Sequence, residues 1–235
     1  MILHEQEGGA NAFSRLELLA CIFAFGLLTL IVLPSLATSH ARGDRVRCFN
    51  NLRQIGVGFS EYASEHGQRM PWFVPVGEGG SLEYPARNEL YIQMSVLSNY
   101  VSSPRILVEA GEGSQARQAT HWGNDPFGGF MSFRGNSISY FLGLDGNFNI
   151  PALLAGDRNV LHAGFGPCAT GISPAANLAT YGPPAAWTRG NHGTNGNVVR
   201  YDGSVEELDN SGLLRSVNAA RVDGADIYHL MLPSL

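Results

Sequence analysis

The histidines and their acidic neighbours are the side chains of this 235-residue chain that could do acid–base or metal chemistry. His192 precedes Asp202 and Gly203, but one histidine without a second histidine or a cysteine at ligand spacing is a weak metal or catalytic signal. We expect this histidine to tie a loop to a hairpin by hydrogen bonds. Three other histidines are scattered and suggest no cluster: His121, His162 and His229.

Motifs of the common enzyme classes find no support in the sequence. No Gly-x-Ser-x-Gly occurs, and the chain has no lysine for a phosphate-binding Gly-Lys pair. All fifteen basic residues are arginines, the formal net charge is −5, and the only basic concentration lies between residues 42 and 53. We therefore expect neither enzymatic activity nor nucleic-acid binding.

Asp145, Asn147 and Asn149 present oxygen ligands at alternate positions, as a calcium loop does. Ile150 and Gly156 stand where an EF-hand loop has its sixth-position glycine and its twelfth-position glutamate. An Asx-rich turn is therefore the expectation, with calcium binding as the alternative. No other cofactor is expected.

The cysteines offer one candidate disulfide. Cys21 lies in an apolar run, where a small packing role is expected. Cys48 and Cys168 could pair in an oxidising compartment, and so long a loop would stabilise by about 4 to 5 kcal/mol in the chain-entropy model. The sequence alone does not show whether the two meet.

An almost unbroken apolar run extends from Leu16 to Leu36, with Glu17 near its start and Pro34 near its end. A span of about 20 apolar residues is what a helix needs to cross a bilayer core. A carboxylate there costs roughly 2.5 to 3.5 kcal/mol on insertion scales, so the presence of Glu17 in this run needs an explanation. A plain membrane anchor and a cleaved secretory signal are the competing interpretations of the run.

Periodicity predicts the elements that would position these residues. One helix is expected from about Phe13 to His66, and the stripe on its second half would face a globular domain: Leu52, Ile55, Phe59 and Tyr62. A second helix is predicted over residues 89–101, and strands over residues 106–108, 137–144 and 152–155. Asp202-Gly203 between two alternating runs predicts a hairpin with a type I′ turn. Asp157 and Arg158 are expected to form an ion-paired turn at a strand end.

The junction Ala12-Phe13 followed by Glu17 resembles the class III signal of type IV prepilins and type II secretion pseudopilins. There a polar leader is cut before a Phe, and a Glu stands fifth in the mature chain. The sequence departs from that pattern because Ala12 replaces the usual Gly and the leader carries Glu5 and Glu7 without a basic residue. The arginines after the apolar run, read by the positive-inside rule alone, would favour the opposite orientation.

Three further stretches resemble a group of bacterial pseudopilin-like proteins. The segment from Cys48 to Pro71 carries the Cys-x-x-Asn-Leu-Arg-Gln-Ile-Gly pattern, and His192, nine residues and then Asp202-Gly203 form the C-terminal signature. A Tyr-Phe-x-Gly-Leu-Asp stretch followed by Gly-Asp-Arg-Asn occurs in the middle of the chain. Glu109 begins Glu-Ala-Gly-Glu where that group often has Cys-Pro-Ser-Asp, so the bridge to the first cysteine is lost here.

The resemblance implies an α+β, pilin-like fold with a long N-terminal helix packed on an antiparallel sheet and a loop-rich C-terminal region. It divides the chain into a leader (1–12), a transmembrane half-helix (13–41) and an extracytoplasmic domain (42–235). A prepilin peptidase would cut between Ala12 and Phe13, with methylation of the new amine. Glu17 would pair with a neighbouring subunit's Phe13 amine, and Pro34 would loosen the helix. Some major pseudopilins hold calcium in a C-terminal loop.

The function implied is that of a structural subunit of a type II secretion pseudopilus or type IV pilus-like filament. Its partners would be the prepilin peptidase, other pilin-like subunits and an inner-membrane assembly platform. It would reside in the cytoplasmic membrane as a single-pass protein before entering the filament. The rival interpretation is a membrane-tethered extracytoplasmic binding module that does not polymerise.

Overall fold

The computed structural model describes residues 14–84, 90–109, 116–144, 152–161, 165–166, 175–179, 185–189, 193–219 and 227–233. The chain divides into two compact units, Met1–Gly43 and Asp44–Leu235. One helix, α1 (Arg15–Glu65), contributes residues to both. The long helix expected from the periodicity is therefore confirmed, and its expected first residue, Phe13, lies outside the described residues.

In the part of the second unit that the structure describes, there are three shorter α-helices and the strands. The helices are α2 (Leu90–Ser95), α3 (Phe130–Phe133) and α4 (Asn210–Ala219). The strands are β1 (Tyr140–Gly143), β2 (Leu153–Asp157), β3 (Val160–Leu161), β4 (Phe165–Gly166), β5 (Ala175–Ala179), β6 (Ala186–Trp187), β7 (Gly196–Arg200), β8 (Val205–Leu208) and β9 (Ile227–Met231).

Within the described residues, seven strands form one sheet in the order β4-β5-β9-β1-β2-β7-β8. All of its strand pairs are antiparallel, and β3 and β6 form a separate antiparallel pair. Inside the main sheet, β1 and β2 are buried at every residue. Continuous burial explains why these strands are apolar up to Asp157, because neither face of these central strands meets water. The predicted α+β class and the antiparallel sheet are confirmed.

The second half of α1 supplies one wall of the core. Leu52, Ile55 and Phe59 are fully buried, at the three- and four-residue spacing that places them on one helical face. A Cβ at Gly56 would lie 2.7 Å from Val199 Cγ2, so the helix backbone approaches β7 closely at this glycine. The stripe predicted from periodicity is therefore confirmed as the core face.

The prediction of a strand over residues 106–108 is wrong. Pro104–Leu107 is a 3₁₀ turn that begins with Pro104 at its first position. Ser103 caps it by accepting a hydrogen bond from the Arg105 N–H, with 3.4 Å between N and Oγ. Proline fixes φ near the helical value, and a Ser before it satisfies an exposed N–H, so capping chemistry outweighs β propensity here.

The predicted hairpin between β7 and β8 is present, but its turn is not type I′. Gly203 has a φ of +81°, whereas Gln68 and Arg134 are the non-glycine residues with positive φ in the described chain. The Arg200 N–H donates to Ser204 O across the loop Tyr201–Gly203. A three-residue loop that ends in a left-handed glycine needs only one positive φ, which leaves Asp202 in an ordinary conformation.

Helix α4 was not predicted from the sequence. Asp209 caps it, because its Oδ1 accepts a hydrogen bond from the Gly212 N–H at 2.7 Å. Leu213 and Val217, four residues apart, are its buried apolar positions. The Asp followed by that spacing was the available signal.

Candidate functional site

The first candidate region is the exposed apolar part of α1. Arg15–Leu33 is 19 residues long and is apolar enough to cross a membrane by length and composition, and none of its residues is buried. Leu16 is 79% exposed and Leu30 is 72% exposed. A signal sequence near an N-terminus has the same properties, so the segment fits a single-pass membrane protein or a signal sequence.

Glu17 closes a capping box at the start of this helix. Its Oε2 accepts a hydrogen bond from the Ser14 N–H at 2.9 Å, and Ser14 Oγ accepts one from the Glu17 N–H at 3.2 Å. The pair satisfies two donors that the helix itself leaves without partners. Glu17 was predicted to act in assembly, and this local capping role, which the Ser-x-x-Glu spacing signals, was not predicted.

Of the other site residues predicted near the start of α1, Pro34 alone is among the described residues. Ala12 and Phe13, the predicted processing positions, lie outside the described residues. Pro34 lies inside α1, whose helical backbone continues through it. The helix therefore shows no break at Pro34, where a loosening was predicted.

The structure describes the second part of the C-terminal signature, Asp202-Gly203, but not the first. His192 lies outside the described residues, so its role as a loop tie stays a prediction. Asp202 Oδ1 accepts hydrogen bonds from Ser204 Oγ at 2.6 Å and from the Ser204 N–H at 2.9 Å. These bonds lower the pKa of Asp202 below its ordinary value, the hydroxyl contributing most. Asp202 and Gly203 thus form the β7–β8 turn.

The predicted calcium ligands Asp145, Asn147 and Asn149 also lie outside the described residues, as does Cys168. Cys48 is a free, buried thiol in the structure. The disulfide to Cys168 and the calcium loop therefore stay predictions.

A second candidate site surrounds Cys48 on the core face of α1. The Cys48 thiol donates to Asp157 Oδ1, with 3.2 Å between Sγ and the oxygen. Asp157 Oδ2 accepts from the Asn197 N–H at 2.7 Å and from Asn197 Nδ2 at 3.2 Å. Asp157 is thus a buried acceptor at the end of β2, which the pattern of the sequence did not reveal, and its predicted ion pair with Arg158 stays a prediction.

Phenol and amide groups complete the surroundings of the sulfur. Tyr140 OH donates to Cys48 Sγ at 3.6 Å, and Asn51 Nδ2 lies 3.4 Å from both Tyr140 OH and Val108 O. Asn51 therefore links α1 to β1 and to the chain just before Glu109. These contacts fix the Cys48 and Tyr140 side chains in one arrangement.

Burial controls the ionisation of this site. Burial first, and then the neighbouring Asp157, raise the pKa of the Cys48 thiol far above its ordinary value. Burial likewise raises the pKa of Tyr140. The thiol therefore stays protonated at neutral pH, which makes it a hydrogen-bond donor and a poor nucleophile.

Glu109 brings a second carboxylate to Cys48. One ligand atom from each of Cys48, Glu109 and Asp157 lies within 4.8 Å of the others, and all three residues are buried. We call these three residues the thiol–carboxylate cluster. The backbone bond from the Ser139 N–H to Leu107 O, 2.8 Å long, holds the chain before Glu109 beside the start of β1.

Comparison with known proteins gives no match: no family model, no curated protein and no solved structure matches the chain. A long N-terminal apolar helix followed by an antiparallel sheet is compatible with a pilin-like fold.

Proposed function

We propose that this protein is a structural subunit of a type IV pilus-like or type II secretion pseudopilus filament, matured by a prepilin peptidase. The observation that carries the proposal is the division of α1. Its residues 15–33 are apolar and exposed, whereas its residues from Cys48 onward supply the core of an α+β unit. A helix of this kind can leave a bilayer for a bundle of similar helices without unfolding the globular unit.

The exposed apolar side chains support this division of roles. Large apolar residues that no part of the described chain covers need lipid or other apolar helices around them. In the proposal, the cytoplasmic membrane covers them first, and neighbouring pilin-like subunits cover them after an inner-membrane assembly platform inserts the subunit into the filament. The globular unit, Asp44–Leu235, would lie on the extracytoplasmic side.

The position of Glu109 gives independent support to the resemblance. In the pseudopilin-like group, a cysteine at this place can bridge to the first cysteine of the chain. Here Glu109 occupies that place and comes within 4.8 Å of Cys48. A shared spatial relationship between these two positions is what a common fold would produce.

Glu17 has two separable properties in this proposal. Its carboxylate caps α1 through Ser14, and its charge would pair with the Phe13 amine of an adjacent processed subunit. A charge in an apolar bundle requires such a partner. Because the capping box accepts Gln as well as Glu, a Glu17→Gln variant keeps the cap and removes the charge.

The test uses the full chain in its native host, with three variants: Glu17→Gln, Glu17→Ala and Ser14→Ala. Intact mass spectrometry of the protein from membranes and sheared filaments should show a chain beginning at Phe13 with a methylated amine. Both Glu17 variants should stay in the membrane, since removing the charge lowers the insertion cost by about 2.5 to 3.5 kcal/mol. Both should be depleted from filaments, whereas Ser14→Ala, which weakens only the cap, should assemble.

Two results would contradict the proposal. Normal filament entry of Glu17→Gln would remove the charge pair from the assembly mechanism. An uncut chain that stays in the membrane and never appears in sheared filaments would favour the tethered binding module instead.

A further inference from the structure

The thiol–carboxylate cluster draws its members from three separate elements. Cys48 comes from the core face of α1, Asp157 from the end of β2, and Glu109 from the chain that follows the 3₁₀ turn Pro104–Leu107. Their relative exposures are 0%, 1% and 8%. We propose that Cys48, Glu109 and Asp157 are the protein ligands of a Zn²⁺ site, a role separate from filament assembly.

The donor set selects the metal. A thiolate with carboxylate oxygens suits Zn²⁺, which accepts sulfur and oxygen ligands in tetrahedral geometry. Calcium and magnesium ions take oxygen ligands and leave a cysteine unused. Three protein ligands leave the fourth position to a water molecule.

The distances are close to those a zinc ion needs. Zn–S bonds of about 2.3 Å and Zn–O bonds of about 2.0 to 2.2 Å place tetrahedral donors roughly 3.5 Å apart. Cys48 Sγ and Asp157 Oδ1 are already 3.2 Å apart. The other separations in the cluster are at most 4.8 Å, and a rotation of the Glu109 side chain would close the remaining ångström.

The surrounding groups orient the ligands as an outer shell does. Asn197 holds Asp157 Oδ2 through its backbone N–H and its side-chain amide, which directs Oδ1 toward the sulfur. Tyr140 approaches the sulfur from β1. Such supporting bonds fix ligand geometry and commonly change metal affinity by about 10- to 100-fold.

Binding exchanges one proton for the metal. The Cys48 S–H bond breaks, its proton goes to solvent, and the sulfur lone pair forms the bond to Zn²⁺ while both carboxylates coordinate as anions. The ion would then connect α1, β2 and the chain at Glu109, so it would stabilise the folded unit over the unfolded chain.

The test uses the full chain purified in mild detergent and stripped with a chelator. Zn²⁺ is added, unbound metal is removed, and the retained zinc is measured by elemental mass spectrometry. The variants are Cys48→Ser and Glu109→Gln, with Cys21→Ser as the matched control because Cys21 lies outside the cluster. Co²⁺ is the second probe, since a cobalt–thiolate bond gives a near-ultraviolet charge-transfer band.

One zinc per chain is expected for the wild type and for Cys21→Ser, with a raised melting temperature on zinc addition. Affinity should fall by about tenfold or more in Cys48→Ser and in Glu109→Gln, and the cobalt band should disappear in Cys48→Ser. If Cys48→Ser does not fold, Glu109→Gln decides, because it preserves side-chain size. Zinc retention by Glu109→Gln equal to the wild type, or no retention by the wild type, would overturn the site.

Discussion

Replacing Asp157 with Ala should be among the most damaging single changes to the globular unit. Asp157 accepts the Asn197 N–H at 2.7 Å and the Cys48 thiol at 3.2 Å, and both Asp157 and Cys48 are buried. The truncation leaves both donors and the Asn197 amide without that acceptor. Asp157→Asn retains an oxygen for the Asn197 N–H and should be milder.

The magnitude follows from the bonds that are lost. Leaving a buried donor unsatisfied costs about 1 to 3 kcal/mol, and bonds to a charged acceptor lie toward the upper end. Relief of repulsion between Asp157 and the nearby Glu109 offsets part of this cost. We therefore expect Asp157→Ala to lower the free energy of unfolding by about 3 kcal/mol and Asp157→Asn by about 1 kcal/mol, out of about 5 to 15 kcal/mol for a typical domain.

Urea unfolding of the chelator-treated chain in mild detergent, followed by tryptophan fluorescence, measures this effect. The three tryptophans, Trp72, Trp122 and Trp187, all lie in the unit Asp44–Leu235 and so report on it. With a slope of about 2 kcal/mol per molar urea, the midpoint should fall by about 1.5 M for Asp157→Ala.

The matched control is Asp202→Ala, another aspartate at a strand end that accepts a backbone N–H. Asp202 is exposed, so water replaces its lost bonds and the cost should stay below about 1 kcal/mol. Equal midpoint shifts for Asp157→Ala and Asp202→Ala would refute the reasoning, because burial would then have no effect on the cost.

Maleimide should label Cys48 only after unfolding, because the thiol is fully buried and its pKa is raised; labelling in the folded protein at pH 8, read by peptide mass spectrometry, would contradict this. Gly196→Ala should destabilise by about 1 to 3 kcal/mol, since its Cβ would meet Trp187 ring atoms at 2.4 to 2.6 Å. Gly77→Ala, with nothing within 4 Å, should be nearly neutral in the same melting assay. A chain reduced to Asp44–Leu235 should be soluble and unfold cooperatively by circular dichroism, and aggregation would show that the unit boundary is misplaced.

Local patterns predicted the elements whose signal is periodic. The α1 stripe followed the three- and four-residue spacing that a helix imposes on a buried face. The sheet strands at Tyr140–Gly143 and Leu153–Asp157 followed aromatic and apolar content. Two capping signals in the sequence did not enter the prediction. Ser14-x-x-Glu17 and Asp209 each stabilise the start of a helix.

Short-range competition explains the elements that were predicted incorrectly. The chain at Pro104–Leu107 has strand-like residues but forms a 3₁₀ turn, because Ser103 and Pro104 favour a capped start. At the hairpin, the Asp-Gly pair correctly placed a turn. The loop length, which follows from the pairing of Val199 with Val205 across the strands, determined that only Gly203 adopts positive φ.

The sequence by itself determined the apolar segment and the amphipathic continuation of α1, because hydrophobic period and length are properties of a short stretch of chain. The α+β class was implied by the resemblance of its motifs. Only the tertiary structure decided that Cys48 faces Asp157, 109 residues away in the chain, with Glu109 beside them. Strand order and helix packing bring such residues together, and no spacing along the chain encodes that meeting. The same packing buries all three side chains, and this burial raises the pKa of the Cys48 thiol and brings the proposed zinc ligands together.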